Sequence, residues 1–444
     1  MNPTYLSPNL SSFDPATRRA ALTAFAAASD APAPRPPQAR IANMHAHSFF
    51  SYNAMGISPS ALAVLGHEEG IDLMGLVDFD VIDGVDEFLD ACDLLGIRAG
   101  ASMEIRVFVP EFSTREINSP GEPGVLYHMG IGFTSSQPSA AAVPLLQDLA
   151  DRSRQRNLDL VDRCNAHLAP VAIDYAADVL PLTPSGNATE RHIVAAYIAA
   201  AQAQTADASA FWQTSLGVDA AAMSAALATP FGLANLVRSK LMKRGGAAYV
   251  QPGPDTFPAA ETAHALFHAC GALPCLAWLD GTTPGEKDMP ELMDLLVGKG
   301  VVAVNIIPDR NWNIADPAVK QVKLQNLYDF VALAHAHNLP IIVGTEMNSP
   351  GLPLVDAFDA PELAPVREIF LDGAHFLYGH TMLGRHAGLG YTSDWAARHL
   401  PEQVERNAFY TQVGRLIPPG QAGLTRLCQL GNDPAPDEVL RHVG

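Results

Sequence analysis

Single histidines and carboxylates stand where apolar, strand-like runs of this chain end. These side chains are the usual ligands of transition metals and the usual carriers of protons. The C-terminal ends of parallel strands meet at one rim of a barrel, so residues distant in sequence are expected to surround one ion or one substrate there. The residues at such positions are His45, His47, Asp78, Asp80, Glu104, His128 and Glu346.

Two of them form a His-x-His sequence. Strand side chains alternate with period two, so His45 and His47 are expected on one face, where both imidazoles can bind one ion. Alone, this spacing in a surface strand predicts little. Glu104 adds a carboxylate that can complete or bridge a site, and His128 adds a further nitrogen. Together the four residues favour a divalent metal site.

The surrounding pattern indicates how these residues are positioned. From 41 to 133, and again from 273 to 346, strand-like runs alternate with helical ones, which is typical of βα units. The stretch from about 140 to 250 is Ala-rich and helical in period. We therefore predict an α/β barrel of some seven units with a helical insertion. The predicted parts are an N-terminal helix and Pro-rich linker (1–40), a first barrel part (41–140), a helical cap (141–250), the remaining barrel (251–415) and a C-terminal tail (416–444).

Composition narrows the classes of function. A chain of 444 residues, 48% of them hydrophobic, can bury a large core. Its formal charge of −19 argues against nucleic-acid binding, which needs concentrated Lys and Arg. The five cysteines form no CxxC pair and predict reduced thiols in a cytoplasmic protein. No run approaches the roughly 20 apolar residues of a membrane span. We expect a small-molecule substrate and no nucleic-acid or membrane partner. The sequence does not indicate whether the protein is a monomer or an oligomer.

Four short segments follow one another in a characteristic order. They are Met44-His45-Ala46-His47-Ser48, Val77-Asp78-Phe79-Asp80, Ser102-Met103-Glu104-Ile105 and His128-Met129-Gly130-Ile131-Gly132. In this order they resemble the polymerase and histidinol phosphatase (PHP) superfamily of metal-dependent phosphoesterases, most of all its branch of bacterial nucleotide and oligonucleotide phosphoesterases. The resemblance covers roughly residues 41 to 350. It implies a distorted seven-stranded (β/α)7 TIM-like barrel of PHP type with a helical cap.

Some positions depart from the family pattern. Where the family has an aspartate or histidine, this chain has Tyr52, Phe79, Trp278 and Asn348. The resemblance therefore implies that the third metal position of the family is empty and that the second is weakened. It implies one tightly bound Zn²⁺, Mn²⁺ or Fe²⁺ ion and a weaker second ion at most. The implied ligands are His45, His47, Glu104 and Glu346 for the first ion, with His128 beside Glu104 for the second.

Further residues are candidates for catalysis and substrate binding. Asp78 is expected to orient a ligand histidine, with a helix cap or turn as the alternative. Arg191 and His192 are expected to hold an anion and transfer a proton, with a solvated helix start as the alternative. Trp278 either packs in the core or stacks on a substrate ring. A polar loop after a predicted strand is expected to reach the substrate, with a solvated turn as the alternative; its candidates are Asn305, Asp309 and Arg310.

Two functions agree with these patterns. The first is a metal-dependent hydrolase of the PHP type, acting on a small phosphorylated substrate through a metal-activated water. The second is a divergent barrel without phosphatase activity, which binds a ligand or acts on another substrate such as a carbohydrate.

Overall fold

The computed structural model describes residues 6–28, 41–349, 351–431 and 433–444. The predicted N-terminal helix is present and begins at Pro15. The Pro-rich linker predicted between 31 and 37 lies outside the described residues. No helix in the described ranges is long and apolar enough to cross a membrane.

Seven strands form one sheet in which each strand pairs with the next along the chain. Most of their residues are buried, as expected for strands covered on both faces. The strands are β1 (Ala42–Ala46), β2 (Leu73–Phe79), β3 (Arg98–Phe108), β4 (Val125–Ile131), β5 (Leu273–Trp278), β6 (Ala303–Ile306) and β7 (Ile341–Val343).

The sheet curls into a nearly closed barrel whose seam lies between β1 and the residues after β7. At the seam the backbone N–H of Glu346 donates to the carbonyl of His45 at 2.7 Å. The N–H of His47 donates in turn to the carbonyl of Glu346 at 2.9 Å. The predicted seven-stranded distorted barrel is thus confirmed.

The expectation that all strands run in parallel is wrong for one strand, β4. β4 is antiparallel to both β3 and β5, whereas the other pairings in the sheet are parallel. Its C-terminal end therefore lies at the opposite rim from the C-terminal ends of its neighbours. The register of this strand against β3 decides the face on which His128 lies.

Helices cover the barrel and form an additional layer. Ser58 shows how one is started: its hydroxyl accepts a hydrogen bond from the N–H of Ala61, and Pro59 occupies the first helical position. The helices are α1 (Pro15–Ala28), α2 (Pro59–Glu68), α3 (Val85–Leu95), α4 (Val143–Leu168), α5 (Glu190–Gln204), α6 (Ala208–Leu216), α7 (Ala220–Leu227), α8 (Gly232–Met242), α9 (Ala260–Ala269), α10 (Met289–Gly298), α11 (Asp309–Trp312), α12 (Pro317–Ala336), α13 (Arg367–Ala387), α14 (Asp394–His399), α15 (Gln403–Leu416), α16 (Gln421–Leu427) and α17 (Pro436–Val443).

The segment from α4 to α8 has an apolar core of its own, separate from that of the barrel. The 26-residue helix α4 joins the two, because Leu149 belongs to the barrel core and Val161 to the second core. The segment is also bonded to the barrel rim. Asn187 donates from Nδ2 to the carbonyls of Phe50 and Phe79, at 3.0 and 2.8 Å. These bonds place the segment over the strand ends that carry His47 and Asp78.

The last helices pack on the outside of the barrel. α13 lies against β7 and is crossed by α15. Val439 and Val443 of α17 are buried, and the indole N–H of Trp395 donates to the carbonyl of Pro434 at 2.8 Å. These C-terminal residues thus complete the covering of the barrel core.

Candidate metal centre

Three ligand atoms converge inside the barrel rim. His45 and His47 leave β1 on the same face, and Glu104 comes from β3, two strands away. Oε2 of Glu104 lies 3.5 Å from Nε2 of each histidine. All three side chains are buried, and none of these three atoms has a hydrogen-bond partner among the described residues. They form a group able to hold a metal ion.

Asn305 fixes the proton of His45. Its amide N–H donates to the carbonyl of Ile342 at 3.2 Å, so its Oδ1 is an acceptor, 3.1 Å from Nδ1 of His45. Nδ1 of His45 therefore carries the proton, and the lone pair of Nε2 is directed at Glu104. Asn305, predicted to bind substrate, lines the neighbouring cavity and orients His45.

Ser51 fixes the proton of His47 in the same way. The Ser51 hydroxyl donates its one proton to Oδ1 of Asp78 at 2.6 Å, so it accepts from Nδ1 of His47 at 3.3 Å. Asp78 also accepts from the N–H and the hydroxyl of Ser48, at 2.9 and 2.7 Å. The predicted orienting role of Asp78 agrees with this geometry, with Ser51 between Asp78 and the histidine.

The electrostatics of the group require a positive charge. Two imidazole lone pairs and a carboxylate oxygen face one another in a buried space, an arrangement that is repulsive until a cation lies between them. Burial alone would lower the pKa of His45, but the neighbouring Glu104 outweighs it and raises that pKa. Burial alone would raise the pKa of Glu104, but the two histidines lower it to about 2. The donor set therefore fits a divalent transition metal.

His128 was predicted as a ligand, and the structure places it on the other face of the sheet. In the β3–β4 register Ile105 pairs with His128 and Glu104 with Met129, so His128 points away from Glu104. Its Nε2 lies 2.8 Å from Nε2 of His264 on α9. Because Nδ1 of His264 donates to the carbonyl of Lys299 at 2.9 Å, His128 is the donor of this pair. Burial and His264 together hold the pKa of His128 well below its usual value.

Glu346 was also predicted as a ligand; its backbone lies beside the group, and its carboxylate is bound by other side chains. Its carboxylate accepts from Nη2 of Arg310 at 2.8 and 3.0 Å and from Nδ2 of Asn348 at 3.1 Å. Its oxygens fall outside the group in which the atoms of His45, His47 and Glu104 lie within 4.8 Å of one another. Arg310, predicted to bind substrate, lines the adjoining cavity.

Trp278 packs in the core. Its indole is 1% exposed and stacks on Phe330 of α12, with ring centroids 4.3 Å apart and an interplanar angle of 5°. In the β5–β6 register Ala277 pairs with Asn305, so Ala277 is the residue of this strand end that shares the inner face. Trp278 borders the cavity, and the stacking of its ring on Phe330 agrees with the packing alternative. The methyl group of Ala277 offers no ligand atom.

The remaining predicted residues separate into one that lines the cavity and two that do not. Arg191 lines it, donating to Oγ of Ser349 at 2.7 Å and lying over the ring of Tyr52. His192 is absent from the lining; its Nδ1 accepts from the N–H of Thr189 at 3.0 Å and caps α5. Burial lowers its pKa to about 4, so it is neutral at pH 7. Asp309 is also absent from the lining and accepts from Asn313 at 2.9 Å.

The cavity beside the metal group has a volume of about 940 Å³ and is rich in positive charge. Nine of the 28 lysines and arginines line it, against seven acidic residues, although the whole chain carries −19. The basic residues are Arg106, Arg152, Arg156, Arg163, Arg191, Arg238, Lys243, Arg244 and Arg310. The acidic residues are Asp80, Glu104, Glu122, Asp159, Glu190, Asp255 and Glu346. The cavity therefore suits an anionic ligand.

Arg106 and Arg156 illustrate how these charges are held. Both lie over the ring of Phe257, at 4.3 and 4.8 Å from its centroid. Burial lowers the pKa of Arg156 to about 10, so it remains charged at neutral pH. Arg106 was not among the predicted residues, although it follows Glu104 by two residues in one strand and thus shares its face.

Fold and site together define a nearly closed seven-stranded barrel with a buried His-His-Glu group on its inner rim. No protein-family model matches the chain, and no curated protein is similar enough to be matched.

Similar solved structures include a protein from Bifidobacterium adolescentis that is assigned as a metal-dependent phosphoesterase. Its sequence is 18% identical, the TM-score is 0.46, and the match covers 75% of this chain and 96% of that one. The similar structures also include an amidohydrolase from Chromobacterium violaceum with bound sulfate and no metal, at 16% identity and a TM-score of 0.46, over 74% of this chain and 95% of that one.

Proposed function

We propose that this protein is a metal-dependent hydrolase acting on a small phosphoester. One observation carries the proposal: of three buried residues whose ligand atoms have no partners among the described residues, His45 and Glu104 line a cavity that is also lined by nine cationic side chains. A divalent metal bound there would supply the Lewis acid that ester hydrolysis needs.

The protein's own residues account for the other requirements. His45, His47 and Glu104 are three protein ligands, the number typical of a catalytic site that keeps one coordination position for water or substrate. Asn305 and Ser51 set the histidine tautomers, so that both Nε2 atoms are ready to bind. The cationic lining offsets the charge of a phosphoryl group before and during its transfer. The cavity volume lies in the range of small-molecule sites.

A second candidate is a barrel that binds a ligand or acts on another substrate such as a carbohydrate. It is favoured by the presence of only one three-ligand group among the described residues, because His128 faces away and Ala277 offers no ligand.

The deciding experiment has two stages. Protein purified with added Mn²⁺, Fe²⁺ or Zn²⁺ is expected to hold about one ion per chain by elemental analysis, and His45→Ala is expected to lose it. His335→Ala, which changes an exposed histidine of α12, is the matched control and should keep the ion. Metal-loaded protein is then assayed with phosphomonoesters and phosphodiesters. Uniform inactivity of protein shown to hold metal would favour the second candidate.

A further inference from the structure

Glu346 keeps its backbone beside the metal group, and its carboxylate is bound by two other side chains. Its N–H and carbonyl bond to the backbones of His45 and His47, so the residue is fixed at the seam of the barrel. Its φ is +65°, a left-handed value that residues other than glycine seldom adopt. With both oxygens taken by Arg310 and one also by Asn348, its carboxylate is engaged elsewhere.

Arg310 is held at one end only. Both contacts to Glu346 use Nη2, and neither Nε nor Nη1 has a hydrogen bond within the described part of the chain. The Arg310 side chain is 46% exposed and lines the cavity, whereas that of Glu346 is 10% exposed. One edge of the guanidinium thus binds the protein, and its other N–H groups are available to a ligand.

The position of this cation has a clear electrostatic consequence. Glu104 and Glu346 line the same cavity, and the charges of both favour the protonated form of Arg310. No second group of three ligands exists among the described residues to bind another metal ion there. A guanidinium is planar, permanently charged and able to bind two oxygens at once, as it does in carboxylate and phosphate recognition.

We propose that Arg310 takes the place of a second metal ion in this site. It neutralises Glu346, which keeps that carboxylate from the metal, and it offers its remaining N–H groups to an anionic oxygen of the substrate. The contact of Arg310 with the substrate rests on the proposed function. The contact of Arg310 with Glu346 does not, because it is tested by metal affinity alone.

The first test is Glu346→Gln, which keeps the shape of the side chain and removes its charge. We expect the affinity for Mn²⁺ or Zn²⁺, measured by titration calorimetry on otherwise unchanged full-length protein, to stay within about threefold of the wild type, well under the 1.4 kcal/mol of a tenfold change. If Glu346 is a metal ligand, the affinity falls by about tenfold or more, and the proposal is overturned.

The second test measures inorganic phosphate binding to metal-loaded protein. Arg310→Met keeps the apolar stem and removes the charge, and we expect its phosphate dissociation constant to rise by about tenfold or more. Arg310→Lys keeps the charge without the planar fork and should recover part of the loss. Unchanged phosphate affinity in Arg310→Met overturns the proposal. If that variant does not fold, the metal affinity of Glu346→Gln decides.

These outcomes are separate from those of the proposed function. Wild-type protein that binds no metal would remove the hydrolase proposal itself. Wild-type protein that binds metal and hydrolyses phosphoesters, together with unchanged phosphate binding in Arg310→Met, would remove only the role of Arg310.

Discussion

Ser51 donates its hydroxyl proton to Oδ1 of Asp78 at 2.6 Å, and this bond leaves the Ser51 oxygen only the role of acceptor toward His47. The buried carboxylate thus acts on the metal group through a hydroxyl rather than directly. Hydrogen bonds to the second ring nitrogen of a ligand histidine set its tautomer and orientation, and their loss typically weakens metal binding 10- to 100-fold.

Ser51→Ala is therefore expected to weaken metal binding by about 10-fold or more, because the proton of His47 Nδ1 loses its acceptor. Ser60→Ala is the matched control, since Ser60 is a buried serine that also donates to a carboxylate, Glu87, at 2.8 Å. Each variant should lose roughly 1–3 kcal/mol of stability. Calorimetric titration with Zn²⁺ compares them, and equal metal affinities would show that Ser51 has no orienting role.

Metal binding should depend on pH through His45. In metal-free protein Glu104 raises the pKa of His45 above 6.5, although burial opposes the shift, so a metal ion must displace a proton at and below that pH. Affinity should rise with pH and level off above the raised pKa of His45. The pKa of Glu104, about 2, adds no proton release near neutrality.

The same shift fixes the sign of the pH effect on the metal-free protein. Protonated His45 stabilises the fold fully below its unfolded pKa, and this contribution is lost as pH rises through the folded pKa. Calorimetry in buffers of different ionisation enthalpy counts the released protons. Affinity that is constant from about pH 6 to 8 would contradict the assignment.

His128→Ala should change stability and leave metal binding as it is. The substitution removes the donor to Nε2 of His264 and opens a space in the packed outer face of the sheet, at a cost of about 1–3 kcal/mol for the unsatisfied group alone. His47→Ala is the contrasting variant and should lose the metal. Chemical denaturation and elemental analysis measure the two effects. A metal-free His128→Ala protein that remains folded would restore His128 as a ligand.

Much of this arrangement could be predicted from the sequence, and the parts that could not have physical reasons. The convergence of His45, His47 and Glu104 follows from strand alternation and barrel closure, both local or general rules. The direction of β4 does not follow from its apolar run. The signal lay before it: residues 109–124 contain no α-helix, although a parallel neighbour needs a long crossover, usually helical.

The other corrections depend on register and on long-range pairing. Trp278 and Ala277 differ by one position, and a shift of one residue reverses the face of a strand side chain. Only the pairing of Ala277 with Asn305 settles which of them faces inward. The ion pair between Arg310 and Glu346 joins residues 36 positions apart, so no local sequence pattern predicts it.

Positive charge in the cavity should determine anion affinity, and two arginines of α4 test this. Arg156 lines the cavity over Phe257 and lies 3.7 Å from Asp80, whereas Arg154 is absent from the lining, is 66% exposed and pairs with Asp151. Arg156→Met should weaken the binding of inorganic phosphate by roughly 3- to 10-fold at low ionic strength, with a smaller loss at high salt because dissolved ions screen the attraction between the cavity and the anion. Arg154→Met removes the same charge from the same helix and should leave phosphate affinity almost unchanged. Competition assays at two salt concentrations measure both variants, and equal losses would mean that the net charge of the protein, rather than the cavity, attracts the anion.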